Sequence, residues 1–127
     1  MYDQYAVDKF FSQDPEIRAI FDKLVRIIMG RYPDVRVKVQ KSQISFYGNR
    51  SFCWVWLPIR AGIKGRPDHY LIVSFGLNKE IFHNRLVDTT QPYPNRYTHH
   101  AIIGSQDEID DELLGWLDQA YQWRQEE

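Results

Sequence analysis

At Val35 the spacing of apolar residues changes, and that change limits the fold more than any other feature of the chain. Before it, Ile17, Ile20, Phe21, Leu24, Val25 and Ile28 fall at helical spacing and form one apolar face. After it, Val35, Val37 and Val39 alternate with Arg36, Lys38 and Gln40, the pattern of a half-buried strand. A helix with one apolar face followed by alternating strands has to lay that face on the sheet.

The punctuation agrees with the periods. Asp14 can accept from free N–H groups at the start of the helix, and Pro15 suits its first position because the missing N–H is not needed there. Gly30 and Pro33 end it. A short helical turn is expected earlier, from Val7 to Ser12. Further strands are expected at Lys41 to Tyr47, Phe52 to Ile59, His69 to Phe75 and Tyr97 to Ile103. Gly48-Asn49 supplies a hairpin turn between the first two of these. Arg85 to Thr90 reads as one more short strand. Pro92-Tyr93-Pro94-Asn95 reads as a turn or an irregular strand entry, since prolines cannot donate to a ladder.

A second long helix follows. Ser105-Gln106-Asp107-Glu108 has the form of a capping box, in which Ser105 and Glu108 satisfy each other's backbone N–H. Ile109, Leu113, Trp116, Leu117 and Ala120 form its buried stripe. The order predicts one α+β domain over residues 1–127. Its antiparallel sheet has about five strands, with the N-terminal and C-terminal helices on one face. The other face would show Arg36, Lys38, Gln43, Ser45 and Tyr47.

Cys53 is the one cysteine, so no internal disulfide forms and a reducing cytoplasm is expected. The first residues lack the basic and apolar regions of a signal peptide. The apolar run at 52–57 is far shorter than the ~20 residues that span a bilayer. No membrane partner is therefore expected.

Several chemistries find no footing. His99 and His100 are adjacent, and neighbouring side chains in a strand point to opposite faces, so they do not readily share a metal. No CxxC, HxH or HExxH completes a site. Cys53 lies between Phe52 and Trp54, where a thiol is inert packing. There is no G-x-S-x-G elbow, and Gly62-Ile63-Lys64-Gly65 lacks the spacing of a phosphate loop. Asp68, Glu80 and Asp88 form no acid-x-Lys pattern for a metal-dependent nuclease. No cofactor and no metal is expected.

Charge is sorted along the chain. Residues 35–104 carry ten Lys/Arg against three Asp/Glu, a local +7, and residues 105–127 carry one against eight, a local -7. Either the centre meets an anionic partner, or the two parts neutralise each other. Much of the acidic end is explained by helix capping, because carboxylates favour a helix N-terminus. The basic centre has no such local explanation. Tyr47, Trp54, Trp56, Tyr93 and Tyr97 are interleaved with its cations, as on sheets that stack bases and neutralise phosphates.

Four stretches taken in order resemble the family known as domain of unknown function 5655. They are Lys41-Ser42-Gln43-Ile44-Ser45-Phe46-Tyr47, Phe52 to Pro58, Pro92 to His100, and Glu108-Ile109-Asp110-Asp111-Glu112-Leu113 on through Trp116-Leu117 and Ala120-Tyr121. The resemblance covers roughly residues 10–124. It implies a small α+β domain without an assigned reaction, found in some cases as an appended module beside nuclease-like or DNA-associated domains. It supplies no catalytic residues.

The leading expectation is a non-catalytic module that binds nucleic acid or an acidic protein. Lys41, Arg50, Arg85 and Arg96 would make the charge contacts. Tyr47, Tyr93 and His99 would stack or hydrogen-bond beside them. A second reading is an enzyme for a small phosphorylated or carboxylated ligand, held by Arg96 and Lys41, with His99 or His100 as acid/base. A third is a homo-oligomer or docking domain in which the acidic helix of one copy meets the basic sheet of another.

Overall fold

The computed structural model describes residues 2–58 and 64–126 and has an α+β fold. Helix α1 (Gln4–Phe10) starts earlier than the expected turn, because the Asp3 side chain accepts from Ala6 N–H and caps it. Helix α2 (Pro15–Arg31) starts where the sequence predicts. Asp14 Oδ1 accepts from Glu16 and Ile17 N–H, both at 3.1 Å. The six apolar residues assigned to its inner face are all buried.

Six strands follow among the described residues: β1 (Arg36–Val39), β2 (Ile44–Tyr47), β3 (Ser51–Trp56), β4 (Leu71–Leu77), β5 (Leu86–Tyr93) and β6 (Arg96–Ile103). They form one antiparallel sheet in the order β1-β2-β3-β4-β6-β5. The sheet has six strands where about five are expected, and β5 runs three residues past its sequence pattern, which ends at Thr90. It absorbs Pro92, which an edge strand tolerates, and the chain turns at Pro94-Asn95 with Asn95 at φ 61°. Ile59 and Arg60 to Ile63, expected as a strand end and part of a basic loop, lie outside the described residues.

The last helix, α3 (Asp111–Glu126), begins later than expected. Ser105 makes no capping bond, and Gln106–Glu108 form a single 3₁₀ turn. Glu108 Oε1 reaches back instead to Gly104 N–H at 2.7 Å. Asp110 caps the helix, its Oδ1 accepting from Leu113 N–H at 3.1 Å. Both segments offered polar side chains ahead of an apolar run, and Asp110 lies next to the continuous stripe.

Register sorts the sheet into two faces. Phe46 pairs with Cys53, Cys53 with Phe75, and Phe75 with His99. This face meets the helices: Phe46 lies 6.3 Å from Phe21 of α2, and Phe75 stacks on Trp116 of α3 at 5.6 Å. Phe46, Phe52 and Phe75 are fully buried. Burying each such ring contributes about 1.5–3 kcal/mol. The alternate row, Lys38, Ser45, Trp54, Ser74 and His100, crosses the opposite face.

Candidate functional site

The open sheet face carries Arg36, Lys38 and Tyr47, as the alternation predicted, and Ser45 shares it but is buried. Arg36 pairs with Tyr47 and Lys38 with Ser45, which puts all four on the side away from the half-buried Val37 and the buried Phe46. Arg36 and Lys38 are exposed, while Tyr47, Trp54 and Trp56 are half-buried. Further along the face, an added Cβ at Gly76 would stand 3.7 Å from Trp123 and 4.0 Å from Trp54, so these rings converge over the glycine. The Arg96 guanidinium lies 5.8 Å from the Trp123 ring and 5.4 Å from Tyr93. These three residues border a shallow cavity of about 440 Å³. Tyr93 itself is 62% exposed.

The seven expected site residues do not converge. Arg96 and Tyr93 lie together at the β5–β6 turn. Tyr47 is on the same face, beside Arg36. Lys41 is exposed in the β1–β2 turn and Arg50 in the β2–β3 turn, at opposite ends of β2. Arg85 is turned to the acidic end of the chain. It donates to Asp110 Oδ1 at 2.8 Å, Glu112 Oε1 at 3.0 Å and the Glu108 carbonyl at 2.6 Å. Part of the charge separation seen in the sequence is thus neutralised inside the fold. Arg31 and Asp118 extend that pattern with two bonds of 3.0 and 2.9 Å, and Tyr32 also donates to Asp118. The Arg31 guanidinium holds the Asp118 carboxyl below the usual range.

His99 is fully buried on the helix side. It stacks on Phe75 at 5.1 Å, and its Nε2 accepts from Ile81 N–H at 2.9 Å. Burial pushes its pKa down. His99 is thus placed to support the core and the Ile81 backbone. His100 points the other way, as the strand period required, and meets the Ser74 hydroxyl at 2.6 Å through Nδ1. Burial lowers its pKa too, against the opposing pull of Asp88. A Ser–His contact suggests a nucleophile, but Ser74 is fully buried and presents no surface to a substrate. Burial pushes the Cys53 thiol far up, as the apolar neighbours implied. Among the described residues no group of three His, Cys, Asp or Glu could hold a metal ion.

Sequence reasoning missed Trp123 in the sheet-face group. It lies seven residues after Trp116, on the same side of α3, and only the tertiary fold carries it over Gly76. The signal that could have found it is Gly76 itself, a glycine inside an apolar strand that marks close approach by a neighbour.

Fold and surface together define a small α+β domain: one antiparallel sheet, two long helices on one side and a basic, aromatic face on the other. The chain belongs to the family described as Domain of unknown function (DUF5655), which matches residues 7–124. No curated protein and no solved structure matches it. No helix among the described residues is long and apolar enough to cross a membrane.

Proposed function

We propose that the protein is a non-catalytic binding module of the cytoplasm whose open sheet face takes single-stranded nucleic acid. One observation carries this reading: strand register gathers Arg36, Lys38, Tyr47 and Trp54 on the face opposite the helix-packed core. Cations there neutralise phosphates, and rings stack bases without regard to sequence. Arg96, Tyr93 and Trp123 extend the same surface across the sheet. Support for the compartment is the single buried thiol, which has no partner for a disulfide.

Fluorescence anisotropy with labelled single-stranded DNA and RNA tests the proposal. Binding is expected at ~50 mM salt and weakens as salt rises, because counterion release drives it. Changing Arg36 and Lys38 together to Gln removes two phosphate contacts and reduces the logarithmic salt slope by about 1.4. No binding at low salt, or an unchanged slope in the double variant, overturns the reading. Binding of an acidic peptide in place of either nucleic acid overturns it in favour of a protein partner.

A further inference from the structure

A different cavity lies where the end of α1 meets the β1–β2 turn and the last residues of β3. Its volume is about 690 Å³, within the range of pockets that enclose small organic ligands. Phe10, Val39, Trp56 and Leu57, all half-buried, make its apolar wall. Lys9 and Lys41, both exposed, are its cationic lining. No carboxylate lines it among the described residues.

Two comparisons set it apart. The cavity between α2 and the Gly104–Asp107 segment is similar in size, about 730 Å³, but there Glu16 and Asp107 stand against Lys23 and Arg26. Lys23 is also already bonded to the Gln106 carbonyl at 2.8 Å. The shallow cavity beside Tyr93 holds one cation, Arg96, which already lies against two rings. The cavity beside α1 instead joins an apolar wall to positive charge that no carboxylate lining it opposes among the described residues.

The third observation concerns Trp56. Its Nε1–H is buried and has no hydrogen-bond partner among the described residues. Buried polar groups are nearly always paired, so an orphan donor on a cavity wall asks for an explanation. A turn of the ring toward a bound acceptor supplies one.

We propose that this cavity binds a small amphipathic anion, an aryl or alkyl carboxylate. Its apolar part lies on Phe10, Val39, Trp56 and Leu57, and its carboxylate lies between Lys9 and Lys41. The Trp56 indole N–H donates to one carboxylate oxygen. An apolar wall holds such a ligand by area, and the few polar groups fix its orientation.

Titration of the labelled full chain with 4-phenylbutyrate, followed by ¹H–¹⁵N NMR, tests this. The Trp56 indole resonance is identified by its loss in Trp56→Phe. It is expected to move on titration together with the amides of Lys9, Phe10 and Lys41, along one saturating curve. The neutral amide of the same acid binds about fivefold more weakly, and so does the acid to a Lys9→Gln/Lys41→Gln variant, since exposed charge contacts are modest. Both lysines are exposed, so that variant keeps its fold. Three outcomes overturn the proposal: no movement of these signals up to about 10 mM, beyond the millimolar range of weak ligands; movement confined to other parts of the chain; or equal binding of acid and amide.

Discussion

Arg85 ties the segment before β5 to the start of α3, and removing it gives a sharp test of how the acidic end is used. Its side chain is 18% exposed and lies 5.9 Å from the Trp116 ring. The bond to the Glu108 carbonyl has a charged donor and contributes about 1.5–3 kcal/mol. Asp110 and Glu112 are 47% and 42% exposed, so each ion pair adds only about 0.2–1 kcal/mol. These terms share one side chain and do not simply add. Arg85→Ala is therefore expected to cost about 2.5 kcal/mol, which for a chain this size lowers the melting temperature by about 10 °C.

Calorimetry on both proteins near pH 7 and near pH 3 measures the effect and its ionic part, because carboxylates titrate at about 4. Burial pushes the Asp110 carboxyl up, but its bonds to Arg85 and to Leu113 N–H outweigh that and leave its pKa lowered. A lowered carboxylate stabilises the fold above the unfolded value, and that stabilisation is lost as pH falls through the folded one. The gap between wild type and Arg85→Ala should thus narrow in acid without closing, since the Glu108 carbonyl does not titrate. A drop of less than about 2 °C near neutrality would refute the clamp, on the size scaling used above.

Two further outcomes are expected. An added Cβ at Gly115, inside α3, meets nothing within 4 Å, so Gly115→Ala should stabilise by about 0.8 kcal/mol through helix propensity. At Gly104 the added atom would stand 2.7 Å from Pro67 Cγ, so Gly104→Ala should cost about 1–3 kcal/mol; thermal shifts of the same sign in the two variants contradict the packing argument. Because burial lowers the His99 pKa, the unfolded chain takes its proton at higher pH, and stability should fall as pH drops below about 6.5. His99→Gln keeps an acceptor for Ile81 N–H and should flatten that slope, leaving the share due to His100; urea midpoints between about pH 7 and pH 5 give the slopes, and identical ones would exclude His99 as a source.

Local signals were read well where local chemistry decides the outcome. Asp14-Pro15 starts α2 because cap and proline act within one turn. The alternation from Val35 placed Arg36, Lys38, Ser45 and Tyr47 on one face because strand side chains alternate whatever the tertiary fold. It also separated His99 from His100, but not which of them is buried: that depends on Phe75 and Trp116, far off in sequence. The start of α3 was legible as a capped helix but misplaced, since Ser105 and Asp110 both precede apolar residues and only the 3₁₀ turn between them decides. The site was less legible than the fold. Arg85 looks like any basic residue until Asp110 and Glu112 are beside it, and Lys41 and Arg50 look like neighbours until the hairpin sends them to opposite ends of β2.

The two outer strands of the sheet have a consequence for solubility. An exposed strand edge is a template on which another chain can add itself, and flat, regular edges start aggregates. β1 limits this with only four residues, two of them Arg36 and Lys38. β5 limits it differently: Asp88 sits at φ 52°, the register slips on both sides of Thr90, and Pro92 withholds a donor. Its backbone therefore offers an incoming strand no continuous run of evenly spaced groups. The irregularity that made β5 read shorter in the sequence is what keeps that border of the sheet from growing.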